Sequence, residues 1–339
     1  MRIAVNSFLL TYFMAAGFAA TAQAATIPFF YTTASSPDVF SASYNATTNG
    51  ITGTTAIATS QQGADGVLAG PNSTLFFTGE GGNGVYQIPQ AGGAPLGFSS
   101  GTTPSYLLAM NQNNPNTVFT FNNAGSVATL PVNGGVLQSG TAHTITGPVT
   151  NVSNLVWSAG NTAYYVTGQP GATGSLGVFN TSGFSTNTQL FSGINTAQDA
   201  VFDPFTGLIV LFGNGQVDTF NPATNTLGTA VALPGATVGG SCGSGGDQFN
   251  AGTVDGAGHA LVGGCGQLSY IDYSKTGNIL SASDVRQSVD GFGGKDIAAL
   301  PAIGGAPAVG EAPEVSSMGL VAFGLALLAF GRSRRKKPL

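Results

Sequence analysis

Gln198-Asp199-Ala200-Val201-Phe202-Asp203-Pro204-Phe205-Thr206-Gly207-Leu208-Ile209-Val210 holds an apolar segment opened by an aspartate and the start of a second apolar run, Ile209-Val210-Leu211-Phe212. An alternating stretch, Gln216-Val217-Asp218-Thr219-Phe220, follows, and Asn221-Pro222-Ala223-Thr224-Asn225 then turns the chain. Period-two patterning with β-branched and aromatic residues reads as half-buried strand, and the Asn/Pro cluster reads as a hairpin connection. Sliding the chain against itself recovers this unit at a spacing of about 45 residues, the length at which propeller blades recur.

Six copies can be laid out. The first strand of each is Phe29-Phe30-Tyr31, Leu75-Phe76-Phe77, Val118-Phe119-Thr120-Phe121, Ala163-Tyr164-Tyr165-Val166, Ile209-Val210-Leu211-Phe212 or Ala260-Leu261-Val262. The second strands are Val39-Phe40, Gly84 to Ile88, Ser126 to Leu130, Leu176 to Phe179, Gln216 to Phe220 and Leu268 to Ile271. A polar-then-apolar segment recurs at Asp65 to Ala69, Ser105 to Ala109, Asn154 to Trp157, Asp199 to Phe202, Asp247 to Phe249 and Asp296 to Leu300. Residues 27 to 60 look like the outer three strands of a blade lacking its innermost strand, and 296 to 300 looks like that strand. Joining the two ends removes the unpaired edges of an open sheet. The pattern predicts an all-β, six-bladed β-propeller over residues 25–300, closed by N-terminal strands; a pair of β-sandwiches and a β-helix are the other folds the strands allow.

The two ends carry export signals. Met1-Arg2, the apolar stretch Phe8 to Ala20 and the small residues Ala22-Gln23-Ala24 read as a secretory signal peptide over 1–24, which implies the Sec translocon as a partner. A Pro/Gly/Ala linker over 301–312 precedes Pro313-Glu314. The apolar run from Val315 to Gly331 would cover roughly 25 Å as a helix, enough to cross a bilayer. Arg332, Arg334, Arg335, Lys336 and Lys337 follow, and such flanking cations stay on the cytoplasmic side, which leaves the body facing outward. Cys242 and Cys265 read as one disulfide in an oxidising compartment, or as two unrelated small buried residues.

Of the 9 Lys and Arg, Arg2 belongs to the leader and five to the tail, so the body keeps Lys275, Arg286 and Lys295. Thirteen of the 14 acids remain with it, Glu314 being in the tail. A surface of this sign repels nucleic acid and anionic lipid. Charge is also sparse, at 7% of residues, while the apolar share of 42% supports a packed core despite 52 glycines.

Groups for catalysis are few. His143 and His259 fall in different repeats, outside zinc-protease spacing and away from any G-x-S-x-G elbow, and read as polar strand or loop residues. Gly239 to Gly246 lacks the lysine of a phosphate-binding loop. One constellation stands out: Asp65, Ser105, Asn154, Asp199, Asp247 and Asp296 at corresponding points of the six repeats. Around a propeller axis they would form a ring able to hold Ca²⁺ or hydrogen-bond a sugar. Equally, each short polar side chain could satisfy backbone where the chain enters the inner strand, which is the favoured reading. No other cofactor is expected.

Residues 312–339 resemble the PEP-CTERM sorting signal of Gram-negative bacteria, with Val315 standing where a second proline is usual. The resemblance implies an exosortase as processing partner, an inner-membrane-anchored precursor facing the periplasm, then the cell surface or matrix. A plain single-span anchor remains the other reading of the tail. The 198–210 segment resembles NHL-type and gluconolactonase-like propeller repeats, but the Glu, Asn and Asp metal set of the latter cannot be placed on this chain. The expected protein is therefore an exported, non-enzymatic surface propeller for adhesion or an exopolysaccharide or biofilm scaffold. Alternatives are a metal-dependent lactonase- or esterase-like hydrolase and a carbohydrate-binding sensor module.

Overall fold

A computed structural model describes residues 26–33, 36–59, 64–79, 84–100, 107–121, 125–169, 171–234, 251–264, 267–288 and 294–299. The expected signal peptide, linker, sorting motif and membrane span lie outside the described residues, as do Ser105, Cys242, Asp247 and Cys265.

Three strands open the body: β1 (Thr26–Thr33), β2 (Ser36–Asn45) and β3 (Gly50–Thr59). The next sheet runs β4 (Ala64–Gly70), β5 (Thr74–Gly79), β6 (Gly84–Pro89) and β7 (Gly97–Ser100). A third comprises β8 (Leu107–Met110), β9 (Thr117–Phe121), β10 (Ser126–Asn133), β11 (Val136–Leu137) and β12 (Thr141–Thr144). The fourth holds β13 (Asn154–Trp157), β14 (Ala163–Val166), β15 (Gly174–Asn180) and β16 (Ser185–Ile194). In the fifth are β17 (Asp199–Asp203), β18 (Leu208–Gly213), β19 (Gln216–Asn221), β20 (Thr226–Leu227) and β21 (Val231–Ala232). The sixth contains β22 (Ala251–Val254), β23 (His259–Gly264), β24 (Gln267–Asp272) and β25 (Asp284–Ser288).

The last strand, β26 (Gly294–Ala299), does not extend the sixth sheet. It pairs antiparallel with β1, placing Tyr31 opposite Ile297 and Thr32 opposite Asp296. The C-terminal end of the body thus supplies the innermost strand that the N-terminal strands lack, as the end pattern predicts. Inner strands β26, β4, β8, β13, β17 and β22 touch in that order, and β22 touches β26 again. The sheets close into a six-bladed β-propeller.

The core is divided among six seams between neighbouring blades. Phe76 faces the third blade with Leu108, Val118 and Leu130, while its neighbours Leu75 and Phe77 face the first blade with Phe30 and Val39. In the fifth blade Val210 and Phe212 face the sixth, and Ile209 and Leu211 the fourth. Middle strands are therefore buried on both faces, which is why they read as continuous apolar runs, as doubly covered strands do. Burying one such large side chain stabilises by about 1.5–3 kcal/mol. Turn chemistry fixes the register: Asn214-Gly215 joins β18 to β19 with φ of 49° and 74°, the two-residue hairpin turn that Asn-Gly favours.

One inner strand departs from expectation. The innermost described strand of the sixth blade is Ala251–Val254, and the expected segment Asp247 to Phe249 lies outside the described residues. A Cβ on Gly252 would lie 2.4 Å from the ring of Phe212, so this strand must be small and carries little apolar alternation to read. Outer strands are also weaker in sequence, because they are half exposed; the ten-residue edges β3 and β16 interrupt their ladders with bulges, a device that blunts sheet edges against other chains.

Candidate functional site

A propeller's inner strands turn one unpaired backbone edge toward the axis, where polar groups without ladder partners must find others. Here two of the expected ring residues meet. Asn154 opens β13 and Asp199 opens β17 in the next blade; both are buried, at 5% and 7% exposure. Asn154 Nδ2 donates to Asp199 Oδ1 at 2.8 Å, the Ala200 amide donates to the same oxygen at 2.7 Å, and the Gly252 amide of the sixth blade donates to Oδ2 at 3.0 Å. The Leu155 amide in turn donates to Asn154 Oδ1 at 2.7 Å. A chain of hydrogen bonds thus links the inner strands of three successive blades.

Burial holds the Asp199 carboxyl above its usual range, although the donors from Gly252, Ala200 and Asn154 oppose that rise. The channel beside it is a cavity of about 80 Å³ walled by Val67, Leu68, Met110, Trp157, Val201 and Phe202 among others. Space for a few water-sized groups, mostly apolar walls and one hydrogen-bonded carboxylate are what this site offers.

The other ring positions sit elsewhere. Asp65 lies in a β-bulge of β4, and its carbonyl accepts the Thr32 hydroxyl of the first blade. Asp296 stands opposite Thr32 on the closing strand. Ladder register also separates the six: counting back from the β17–β18 and β22–β23 turns, where Asp203 and Asp255 correspond, Ala251 occupies the rung of Asp199, while Leu107, opposite Phe121, holds that rung in the third blade. Ser105 and Asp247 precede those rungs in sequence and lie outside the described residues.

Calcium takes six to eight oxygens that point lone pairs at it. Three N–H donors already aim at the Asp199 carboxylate, so the donor set at Asn154 and Asp199 does not fit that ion. Among the described residues no group of three or more His, Cys, Asp or Glu side chains is placed to hold a metal. Asp199→Ala, which leaves three buried donors without an acceptor, is expected to cost about 1–3 kcal/mol of stability. The loss should be the same in calcium as in chelator, as read by thermal melting; a calcium-dependent rise in melting temperature that the substitution removes would refute a purely structural carboxylate.

The histidines are apart. His143 Nε2 lies 2.9 Å from Thr129 Oγ1 and its ring stacks on Phe184 at 3.7 Å, between the outer parts of the third and fourth blades. His259 belongs to the sixth blade, beside Asp255 and Asp272.

Several inter-blade polar contacts have no signature in sequence. Asn214 Nδ2 donates to the carbonyls of Ala172 and Asn195 at 3.0 Å each, while its Oδ1 accepts from the Gly171 amide at 2.8 Å and Gln198 Nε2 at 2.7 Å. The Tyr273 hydroxyl donates to Asp203 Oδ2 at 3.0 Å across the fifth and sixth blades. Gln87 holds the third blade through Gly135 O at 2.7 Å and the Leu137 amide at 2.8 Å. Only the Asn214-Gly215 dipeptide could have drawn attention, and then as a turn.

No protein-family model matches the chain, and no curated protein matches it. Solved structures do share its fold. A chain of a nidogen/laminin complex aligns with a TM-score of 0.58 at 13% identity, covering 83% of this chain and 99% of that one. The periplasmic gluconolactonase of Pseudomonas aeruginosa aligns with a TM-score of 0.56, also at 13% identity, over 82% of this chain and 100% of its own. At such identity the likeness is one of fold.

Proposed function

We propose that this protein is an exported propeller that acts without catalysis, as an adhesion or scaffold module of the cell surface or an exopolysaccharide matrix. In this reading a PEP-CTERM-like tail at Pro313-Glu314 and the following span hold the precursor in the inner membrane until an exosortase-like enzyme processes it. The observation that supports a non-catalytic role is the chain through Asn154, Asp199 and the Gly252 amide, which commits the polar groups of the channel to joining blades. The acid excess of the body and its Ser, Thr, Asn and Gly-rich composition suit a neutral polysaccharide better than an anionic polymer.

The test combines two assays on one preparation of the full-length protein. Co-sedimentation with neutral exopolysaccharide is expected, with no turnover of a panel of lactones and esters above that of the Asp199→Ala variant. Turnover that Asn154→Ala and Asp199→Ala both abolish, in variants that still melt cooperatively, would replace this reading with the hydrolase one.

A further inference from the structure

The seam between the sixth and first blades lies beside the closing strand β26, and its aromatic contacts lead to a titratable group, His259. Tyr270 of β24 stacks on Tyr44 of β2 across this seam, with ring centroids 4.8 Å apart and planes 25° from parallel. His259, the first residue of β23, also stacks with Tyr270, at 5.8 Å and 20°. Tyr270 therefore contacts one ring of its own blade and one of the first blade.

Both imidazole nitrogens face carboxylates. Nδ1 is 2.7 Å from Asp255 Oδ2, and Nε2 is 3.8 Å from Asp272 Oδ1. Each carboxylate is fixed by the backbone whatever the proton does. Asp255 Oδ1 accepts the amides of Ala257 at 2.8 Å and His259 at 3.0 Å; Asp272 Oδ1 accepts the amide of Ser274 at 3.0 Å and its hydroxyl at 2.6 Å. A neutral imidazole can donate to Asp255 alone and would turn its Nε2 lone pair toward the second carboxylate. A protonated ring donates to Asp255, attracts Asp272, and presents a cation to the face of Tyr270.

The other charged or titratable groups around this place have assigned partners. On β25, Arg286 pairs with Asp284 and donates to the Ala46 carbonyl of the first blade. Lys275, in the turn after Asp272, acts on that aspartate, and the Tyr44 hydroxyl donates to Asn49 Oδ1 at 2.6 Å. None of these replaces a proton on His259.

We propose that His259 is a proton-operated clamp on this seam, drawing the β22–β23 turn and the end of β24 together and bracing the Tyr270–Tyr44 stack when the surroundings acidify. Burial opposes the charged ring, yet the Asp255 hydrogen bond and the charges of Asp255 and Asp272 outweigh it and hold the imidazole above its ordinary value. A group raised in the folded state contributes stability that is complete below its unfolded pKa, about 6.5 for histidine, and that disappears as pH rises through the folded value. Asp272 is shifted the other way: burial raises it, but Ser274, His259 and Lys275 together bring it below the usual carboxylate range, so its contribution fades only toward strong acid. The clamp works between those limits.

Thermal melting of the full-length protein from pH 5.5 to 8.5 tests this, with hydrogen exchange of the β1, β2 and β24 amides to locate the change. The wild type is expected to lose about 2–5 °C in melting temperature across the range, with faster exchange confined to the seam. His259→Gln should flatten the profile, whereas His143→Gln, a change at the one other histidine of the chain, should leave the slope intact. Asp272→Asn, which keeps the imidazole and removes one of its two carboxylates, should reduce the slope and serves if the glutamine variant fails to fold. An unchanged slope in both His259→Gln and Asp272→Asn, or a slope removed by His143→Gln, would overturn the clamp.

Discussion

Asn214→Ala is expected to be among the most damaging single substitutions in the body, lowering stability by about 3–5 kcal/mol and the melting temperature by roughly 10 °C. The reason is the completeness of its bonding. A buried asparagine can make four hydrogen bonds, and Asn214, at 2% exposure, makes all four with groups of the fourth and fifth blades. Alanine leaves two carbonyls and one amide without this partner and Gln198 Nε2 with only its bond to the Gln169 carbonyl, and places a methyl-bearing residue at a φ of 49° that alanine resists. Two companion variants separate the causes. Asn214→Gly relieves the backbone term of about 1 kcal/mol but not the lost bonds. Asn214→Asp restores an acceptor for Gly171 and Gln198 while turning an oxygen toward the carbonyls of Ala172 and Asn195. Melting curves that rank glycine above alanine by only a small margin, with all three far below the wild type, are the expected result; a wild-type-like alanine variant would show that the joint between these blades does not depend on this side chain.

Tyr270→Ala should have a comparable effect by another route. The ring is 2% exposed and packs among Phe29, Tyr44, Leu261 and Leu268. Removing a buried aromatic of this size costs about 3–5 kcal/mol, the spread reflecting how far the site collapses. Here collapse is limited, because the surrounding residues sit on β1, β2, β23 and β24, all held in ladders. The seam flanks the first blade, where β1 and β26, more than two hundred residues apart in sequence, are joined through their ladder, so loosening it exposes that closure. Hydrogen exchange should rise first in β1, β2 and β26, with the third and fourth blades still protected. Tyr270→Phe keeps the stack and should lose little. Tyr44→Ala should resemble Tyr270→Ala, and the double variant should cost less than the sum because both remove the same contact. Uniform loss of protection around the ring would contradict a seam-specific role.

What the sequence disclosed followed burial. Strands such as Leu75-Phe76-Phe77 and Ile209-Val210-Leu211-Phe212 sit between two seams and advertise themselves as unbroken apolar runs. The closing strand was legible because residues 27 to 60 supply three strands to a four-stranded blade and β26 supplies the fourth. Outer strands are fainter: Asp284–Ser288 is mostly polar in sequence, so its pairing with Leu268 to Asp272 is visible only in the ladder. The inner strand at Ala251–Val254 is hard to see in sequence, since close approach to Phe212 demands a residue without a side chain at Gly252 and breaks the apolar pattern.

The channel was read in part. Asn154 and Asp199 do occupy one rung of adjacent inner strands, and their hydrogen bond is the kind of backbone-satisfying contact that short polar side chains make. Ser105 and Asp247, matched to them by residue type, lie two and four residues before the rungs that Leu107 and Ala251 hold, because residue type alone does not fix register. Contacts such as Tyr273 with Asp203, seventy residues apart, depend on the ring as a whole and leave no local trace.

Closure of the body by its own ends and the proposed export to an oxidising compartment are both addressed by one cross-linking measurement. Thr32 and Asp296 are antiparallel partners on β1 and β26, a pairing whose Cα spacing of about 4.5–5.5 Å lies in the range a disulfide spans. With Cys242 and Cys265 changed to serine, the Thr32→Cys, Asp296→Cys protein expressed in its own cells is expected to form an intramolecular disulfide, seen as a reductant-sensitive gain in gel mobility, before any oxidant is added. Two free thiols that stay unlinked even after an added oxidant, in a chain that still melts cooperatively, would contradict the closed ring, and thiols that link only after lysis would contradict export.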